Sequence, residues 1–164
     1  RLWIYRMVKS LMPENRFYGI KVALLRWCGA CVGSHVRINS SADFRGCGDL
    51  RIGDDVWIGP NNFISAVGGT AIEIGSCCDL GPAVMILTGS HKIDPEGEHI
   101  AGQGFSQSVT IGAGTWLGAR CTILPGVNLP RKTLVAAGAV VTKAPPVEMG
   151  LVAGVPATVR KILR

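Results

Sequence analysis

The sequence predicts an all-β solenoid of short parallel strands, and three observations predict it. Aliphatic residues recur every six positions, a small residue follows each of them four places later, and the 22 glycines fall beside the repeat without a collagen-like triplet. The beat is clearest where Ile111, Leu117, Ile123, Leu129 and Val135 open successive hexads and Thr115, Cys121, Val127, Thr133 and Ala139 take the small position. It runs upstream through Val32, Ile38 and Phe44, then Ile52, Ile58 and Ile64, then Ile74, Leu80 and Ile86. A period of six matches neither the 3.6 of an amphipathic helix nor the 2 of an alternating strand. It matches stacked rungs in which each hexad supplies one short strand and a corner, with the aliphatic and small residues turned inward. Three hexads make one triangular coil, and the runs amount to about five coils, a stack roughly 20–25 Å tall at the spacing of paired strands.

The elements follow in chain order. Residues 1–31 form a basic helical segment and residues 32–164 the solenoid domain with its tail, which this reading closes with a short C-terminal helix. In the first segment Ile4, Val8 and Leu11 share one helical face and Phe17, Ile20, Leu24 and Trp27 another, divided by Pro13, Glu14 and Asn15. Residues 1–37 hold seven basic groups against Glu14 alone, so the whole net charge of +6 sits there. Two roles suit such a segment: a cap over the open end of the solenoid, and a basic amphipathic contact with an anionic membrane surface. Nucleic acid is not the expected partner, because these basic residues ride on hydrophobic helices rather than across an exposed groove. No apolar run reaches the length of a membrane span. The chain opens on Arg1 rather than Met, which leaves room for a preceding segment.

The six cysteines read as free thiols rather than a disulfide framework. Cys78 and Cys121 occupy the small inward position of their hexads, where cysteine acts as a compact apolar filler. Cys28 and Cys31 form a single CxxC with no second pair at zinc-finger spacing. A reducing cytoplasm is the matching compartment.

The beat breaks between His91 and Val109, in a polar, glycine-rich stretch without repeat. A long excursion from a regular stack is commonly functional. Since Thr88, Gly89, Ser90 and His91 end a rung just before it, the histidine is expected at a coil edge beneath a projecting arm, a position suited to chemistry.

Four blocks, Ile86–Asp94 (ILTGSHKID), Val109–Val127 (VTIGAGTWLGARCTILPGV), Ala137–Lys143 (AGAVVTK) and Val152–Ala157 (VAGVPA), resemble in this order the hexapeptide-repeat acyltransferases. The likeness is to their sugar O-acetyltransferase branch, which includes galactoside, maltose, nodulation-factor and polysaccharide acetyltransferases. It covers roughly residues 32–162. The resemblance implies a left-handed parallel β-helix, against the usual right-handed crossover, and a homotrimer with active sites in the clefts between subunits. It implies acetyl-CoA as acyl donor and a carbohydrate acceptor, and no metal is expected; the hydrophobic basic N-terminus points to an acceptor in cell-surface polysaccharide or lipid-linked oligosaccharide assembly, at the inner face of the membrane.

Acetyl transfer from a thioester to an alcohol needs a base, because the hydroxyl proton must leave as the new bond forms, and imidazole serves near neutral pH. His91 takes that role in this reading. The oxyanion of the tetrahedral intermediate needs N–H donors, expected at Gly118 and Ala119. By analogy the pantetheine arm runs near Gly118, Ala136 and Ala137, and the nucleotide end near Thr142, Lys143 and the VAGVPA turn, with Lys143 and Lys161 meeting phosphates. Relatives often carry a basic residue where this chain has Thr158, a departure that Arg160 or Lys161 would offset. Trp116 matches a tryptophan lining the acyl and acceptor region, and is equally suited to an outward ring at a subunit contact. Asn61 and Asn62 offer amides to sugar hydroxyls, although they do not align clearly with the acceptor position of galactoside acetyltransferases.

Other readings stay open at this stage. Antibiotic acetylation would use the same rungs and base. A carbonic-anhydrase-like zinc site needs three histidines around one metal, and the three here, His35, His91 and His99, are poorly spaced for it. A noncatalytic scaffold leaves His91 and the arm unexplained.

Overall fold

Three inward-facing ladders of aliphatic side chains run the length of the molecule, and the rest of the architecture is arranged around them. The computed structural model describes residues 1–163. Strands are numbered in chain order. The first face stacks β1 (Cys31–Val32), β4 (Asp49–Ile52), β7 (Ala71–Ile74), β12 (Val109–Ile111) and β15 (Asn128–Leu129), all parallel. The second stacks β2 (Arg37–Ile38), β5 (Trp57–Ile58), β8 (Asp79–Leu80), β13 (Trp116–Leu117), β16 (Leu134–Val135) and β18 (Gly150–Gly154). The third stacks β3 (Asp43–Gly46), β6 (Phe63–Ala66), β9 (Met85–Leu87), β14 (Thr122–Ile123) and β17 (Val140–Val141).

The hexad positions fall in register. Val32, Ile52, Ile74, Ile111 and Leu129 pair along the first face. Ile38, Ile58, Leu80, Leu117, Val135 and Val152 pair along the second, and Phe44, Ile64, Ile86, Ile123 and Val141 along the third. Every one of them is buried, as are the small residues Thr115, Cys121, Val127, Thr133 and Ala139 at the corners. Full burial of an aliphatic side chain contributes about 1.5–3 kcal/mol, so like stacked on like makes each coil the template for the next. Five complete coils result, and β18 adds a sixth rung on the second face.

The chain end differs from the expected short C-terminal helix. Residues Ala157–Ile162 form strand β19, which turns back antiparallel on β18 with Val152 opposite Val159 and Gly154 opposite Ala157. The reason is the exposed edge of β18. Once face two ends, its backbone N–H and C=O groups need partners, and a returning strand supplies them where a helix would satisfy only itself.

Helices α1 (Leu2–Ser10) and α2 (Tyr18–Trp27) cover the open end of the first coil, α1 against β3 and α2 against β1 and β2. Tyr5 meets Phe44 edge-on, with ring centres 6.0 Å apart. The buried faces match the apolar spacing only in part, Leu24 packing against the core. Tyr5 and Lys9 of α1 and Lys21, Val22 and Leu25 of α2 point inward, while Leu11, Phe17, Ile20 and Trp27 are exposed. Polar pins account for the orientation. Lys9 Nζ donates to the Ser40 carbonyl (2.8 Å), and Lys21 Nζ donates to the Glu14 carbonyl (2.9 Å) and to Ser40 Oγ (3.1 Å). A buried ammonium is tolerated only with such partners, and burial holds both amines below the ordinary lysine value.

Candidate active site

The excursion after the third coil is an antiparallel hairpin of β10 (Gly89–Ile93) and β11 (Ala101–Ser106). Its root is held by Thr88, which is fully buried: Thr88 Oγ1 accepts the Val67 N–H at 2.8 Å, and the Thr88 carbonyl accepts the Gln107 N–H at 2.8 Å. Its tip is closed by Asp94, whose N–H donates to the Ile100 carbonyl (3.0 Å) and whose Oδ1 accepts the Gly97 N–H (3.0 Å). The hairpin leaves the stack between β9 and β12, so the first-face ladder passes from Ile74 to Ile111 without a break.

His91 lies on β10 opposite Gly104. Its Nδ1 stands 2.8 Å from the Gly102 carbonyl oxygen. A carbonyl can only accept, so Nδ1 carries a hydrogen, and in the neutral imidazole Nε2 keeps its lone pair. That is the tautomer a general base needs, and the side chain is exposed. Beside it lies an open groove of about 500 Å³ whose lining includes Ser65, Leu87, His91 and Phe105. The hydrogen bond to Gly102 has no sequence signature, because a backbone carbonyl looks the same under any residue. The rooting threonine stands in the TGSH run that marks the end of the rung.

A second cluster lies along the edge between the second and third faces. At successive coils the amides of Gly59, Gly81, Gly118 and Ala136 donate across to Leu80, Leu117, Val135 and Val152 at 2.8–2.9 Å. The Gly118 N–H is thereby spent within the ladder. Of the two residues expected as oxyanion donors, only Ala119 has an amide without an acceptor among the described residues, and Ala137 at the next coil matches it. The corner is built for close approach: a Cβ on Gly118 would lie 2.6 Å from the Ala137 nitrogen.

The remaining sequence candidates divide between these edges. Asn62 is buried in the same corner at the second coil, its amide donating to the Gly59 carbonyl (2.7 Å) and the Gly81 carbonyl (3.0 Å). That leaves no side-chain N–H for a ligand. Asn61 beside it is exposed at a positive φ of 56°. Trp116 projects outward from the second face between Asp79 and Leu134 and is 56% exposed. Thr142 and Lys143 follow β17 on the edge that carries His91, two coils further on, and Lys161 is exposed on β19.

Gly118, Ala119, Ala136 and Ala137 thus share one edge and His91 another, separated by the width of the third face, roughly 15–20 Å for a six-residue rung. The two buried thiols offer no alternative nucleophile, since burial pushes the Cys121 thiol up to about 12 and raises that of Cys78. Among the described residues no three His, Cys, Asp or Glu side chains gather as a metal cluster.

The model of the hexapeptide repeat of succinyl-transferase matches residues 108–143. WcaF of Escherichia coli (strain K12), a candidate colanic acid biosynthesis acetyltransferase, is 30% identical over 144 residues, covering 88% of this chain and 76% of WcaF. The chain belongs to the hexapeptide-repeat acetyltransferases. Within that family the galactoside O-acetyltransferase of Escherichia coli (strain K12) is 28% identical over 156 residues, covering 92% of this chain and 75% of its own length. A hexapeptide-repeat-containing acetyltransferase of Vibrio cholerae O1 biovar eltor, solved in complex with acetyl coenzyme A, shares the fold at a TM-score of 0.72 and 22% identity, over 99% of this chain and 85% of its own. The chain spans about half the length of the first curated relatives it matches.

Proposed function

We propose that this hexapeptide-repeat protein transfers the acetyl group of acetyl-CoA to a hydroxyl of a sugar, with His91 as general base. The observation that carries the reading is the Nδ1–H bond from His91 to the Gly102 carbonyl, which leaves an unshared pair on Nε2 at the mouth of an open groove. In the proposed reaction Nε2 removes the acceptor proton as the alcohol oxygen attacks the thioester carbonyl. The resulting oxyanion is met by the Ala119 N–H, and collapse of the intermediate expels the CoA thiolate, which takes the proton back from the imidazolium.

This chemistry requires a second copy of the chain. His91 and the Ala119–Ala137 corner lie on different edges, so one subunit supplies the base and its neighbour the corner, an arrangement met three times in a C3 homotrimer. In that cleft Gly118, Ala136 and Ala137 border the pantetheine arm, while Thr142, Lys143 and Lys161 stand toward the nucleotide phosphates. Trp116, exposed on the outer side of face two, and Asn61 are the acceptor-side candidates. The galactoside and colanic acid names among the relatives support a carbohydrate acceptor in cell-surface polysaccharide or lipid-linked oligosaccharide assembly. Acetyl-CoA as donor supports a cytoplasmic location.

His91→Ala is expected to fold as the parent does and to lose ~100- to 10,000-fold in acetyl transfer, measured as CoA release against a panel of nucleotide sugars and oligosaccharides. Turnover equal to that of the parent protein would overturn the assignment.

A further inference from the structure

The two N-terminal helices bury Tyr5, Val22 and Leu25 against the solenoid, yet they also bury two lysines and turn a second set of apolar side chains outward. A cap on a soluble solenoid is expected to bury its apolar stripe and show water its lysines. Here Lys21 is 0% exposed and Lys9 6%, whereas Leu11 is 83% exposed, Trp3 69% and Phe17 54%, with Met7, Ile20 and Trp27 about half exposed. The pins to Ser40 and Glu14 hold the lysines in place and with them the outward direction of the apolar residues. Because α1 and α2 both lie across the open end of the first coil, both outward faces belong to the same end of the molecule.

Charge decides what that end meets. Within residues 1–31 the charged groups left toward solvent are Arg1, Arg16 and Arg26, against Glu14 as the single acid, while the half-buried Arg6 is paired with Asp43 at 2.8 Å. A second copy of the chain docked cap to cap would set arginine against arginine. An anionic bilayer would meet the same ring with opposite charge and receive the aromatic and aliphatic side chains between its headgroups, where tryptophan is favoured. Among the described residues no helix is long and apolar enough to cross a membrane, so the contact is with the surface.

We infer that the α1–α2 end face is a peripheral docking surface for anionic lipid bilayers. It is independent of the transfer reaction, and none of its residues lies in the proposed catalytic cleft.

The test is sedimentation of the full chain with vesicles of equimolar phosphatidylcholine and phosphatidylglycerol, beside vesicles of phosphatidylcholine alone. Binding to the anionic vesicles, weakened by added salt and accompanied by a blue shift of tryptophan emission, is the expected result. The Trp3→Ser/Leu11→Ser double variant should weaken that binding by about tenfold or more, with an unchanged circular dichroism spectrum as the control for folding. Arg16→Glu should weaken it at low salt and lose that effect at high salt. No binding to the anionic vesicles, or binding untouched by the double variant, overturns the inference. So does concentration-dependent self-association abolished by the same substitutions in protein that ignores vesicles, which would assign the face to a second copy.

Discussion

At the scale of single residues, the chain separates side chains that only fill space from those that act. Cys78 and Cys121 sit at the small inward position of their hexads, and burial raises both thiols. Alkylation of the folded protein by iodoacetamide, read by mass spectrometry, should modify the exposed Cys31, Cys47 and Cys77 and spare Cys78 and Cys121 until denaturant is added. The same burial has a pH consequence. Because Cys121 ionises at about 12 in the fold and at the ordinary 9.0 when unfolded, its contribution to stability is full below pH 9 and is lost between 9 and 12. A Cys121→Ala variant should therefore show a shallower alkaline fall in thermal midpoint than the parent. His91 was legible for a different reason: it stands where a repeat stops. Its tautomer was not, because the atom that sets it is the backbone oxygen of Gly102 across the hairpin.

At the scale of elements, the corners are as constrained as the strands. The Cβ of an alanine at Gly118 would come within 2.6 Å of the Ala137 nitrogen and 2.7 Å of the Val135 oxygen, both backbone atoms that cannot swing aside. Gly118→Ala should accordingly cost about 1–3 kcal/mol of stability, seen as a lowered thermal midpoint, whereas Gly138→Ala meets no neighbour and suffers only the strain of its positive φ. The hexads foretold which residues face inward because each coil repeats one local pattern. The same reasoning failed at the two ends, where no repeat operates. Periodicity in α1 and α2 marked two apolar faces without saying what they meet, and the hydrogen bonds of two lysines turned Leu11, Phe17 and Ile20 outward. The tail became β19 rather than a helix because an open edge on β18 was waiting for it.

At the scale of the whole molecule, the proposed cleft predicts complementation. If His91 and the Ala137 corner act from different subunits, His91→Ala and Ala137→Trp chains would each be inactive alone. Co-expressed, they would form intact clefts at about a quarter of the sites of a random trimer. Acetyl transfer by the mixed protein, with none by either parent, is the expected outcome, and persistent inactivity of the mixture would refute a shared site. By itself the sequence determined the solenoid, its three ladders, the place of the arm and the histidine at its root, because these depend on a repeat or on its interruption, and both are local. Only the tertiary structure decided which side of each cap helix faces water, which corner amides stay free and how the tail ends. Those outcomes turn on hydrogen bonds between residues far apart in the chain, and no local pattern encodes them.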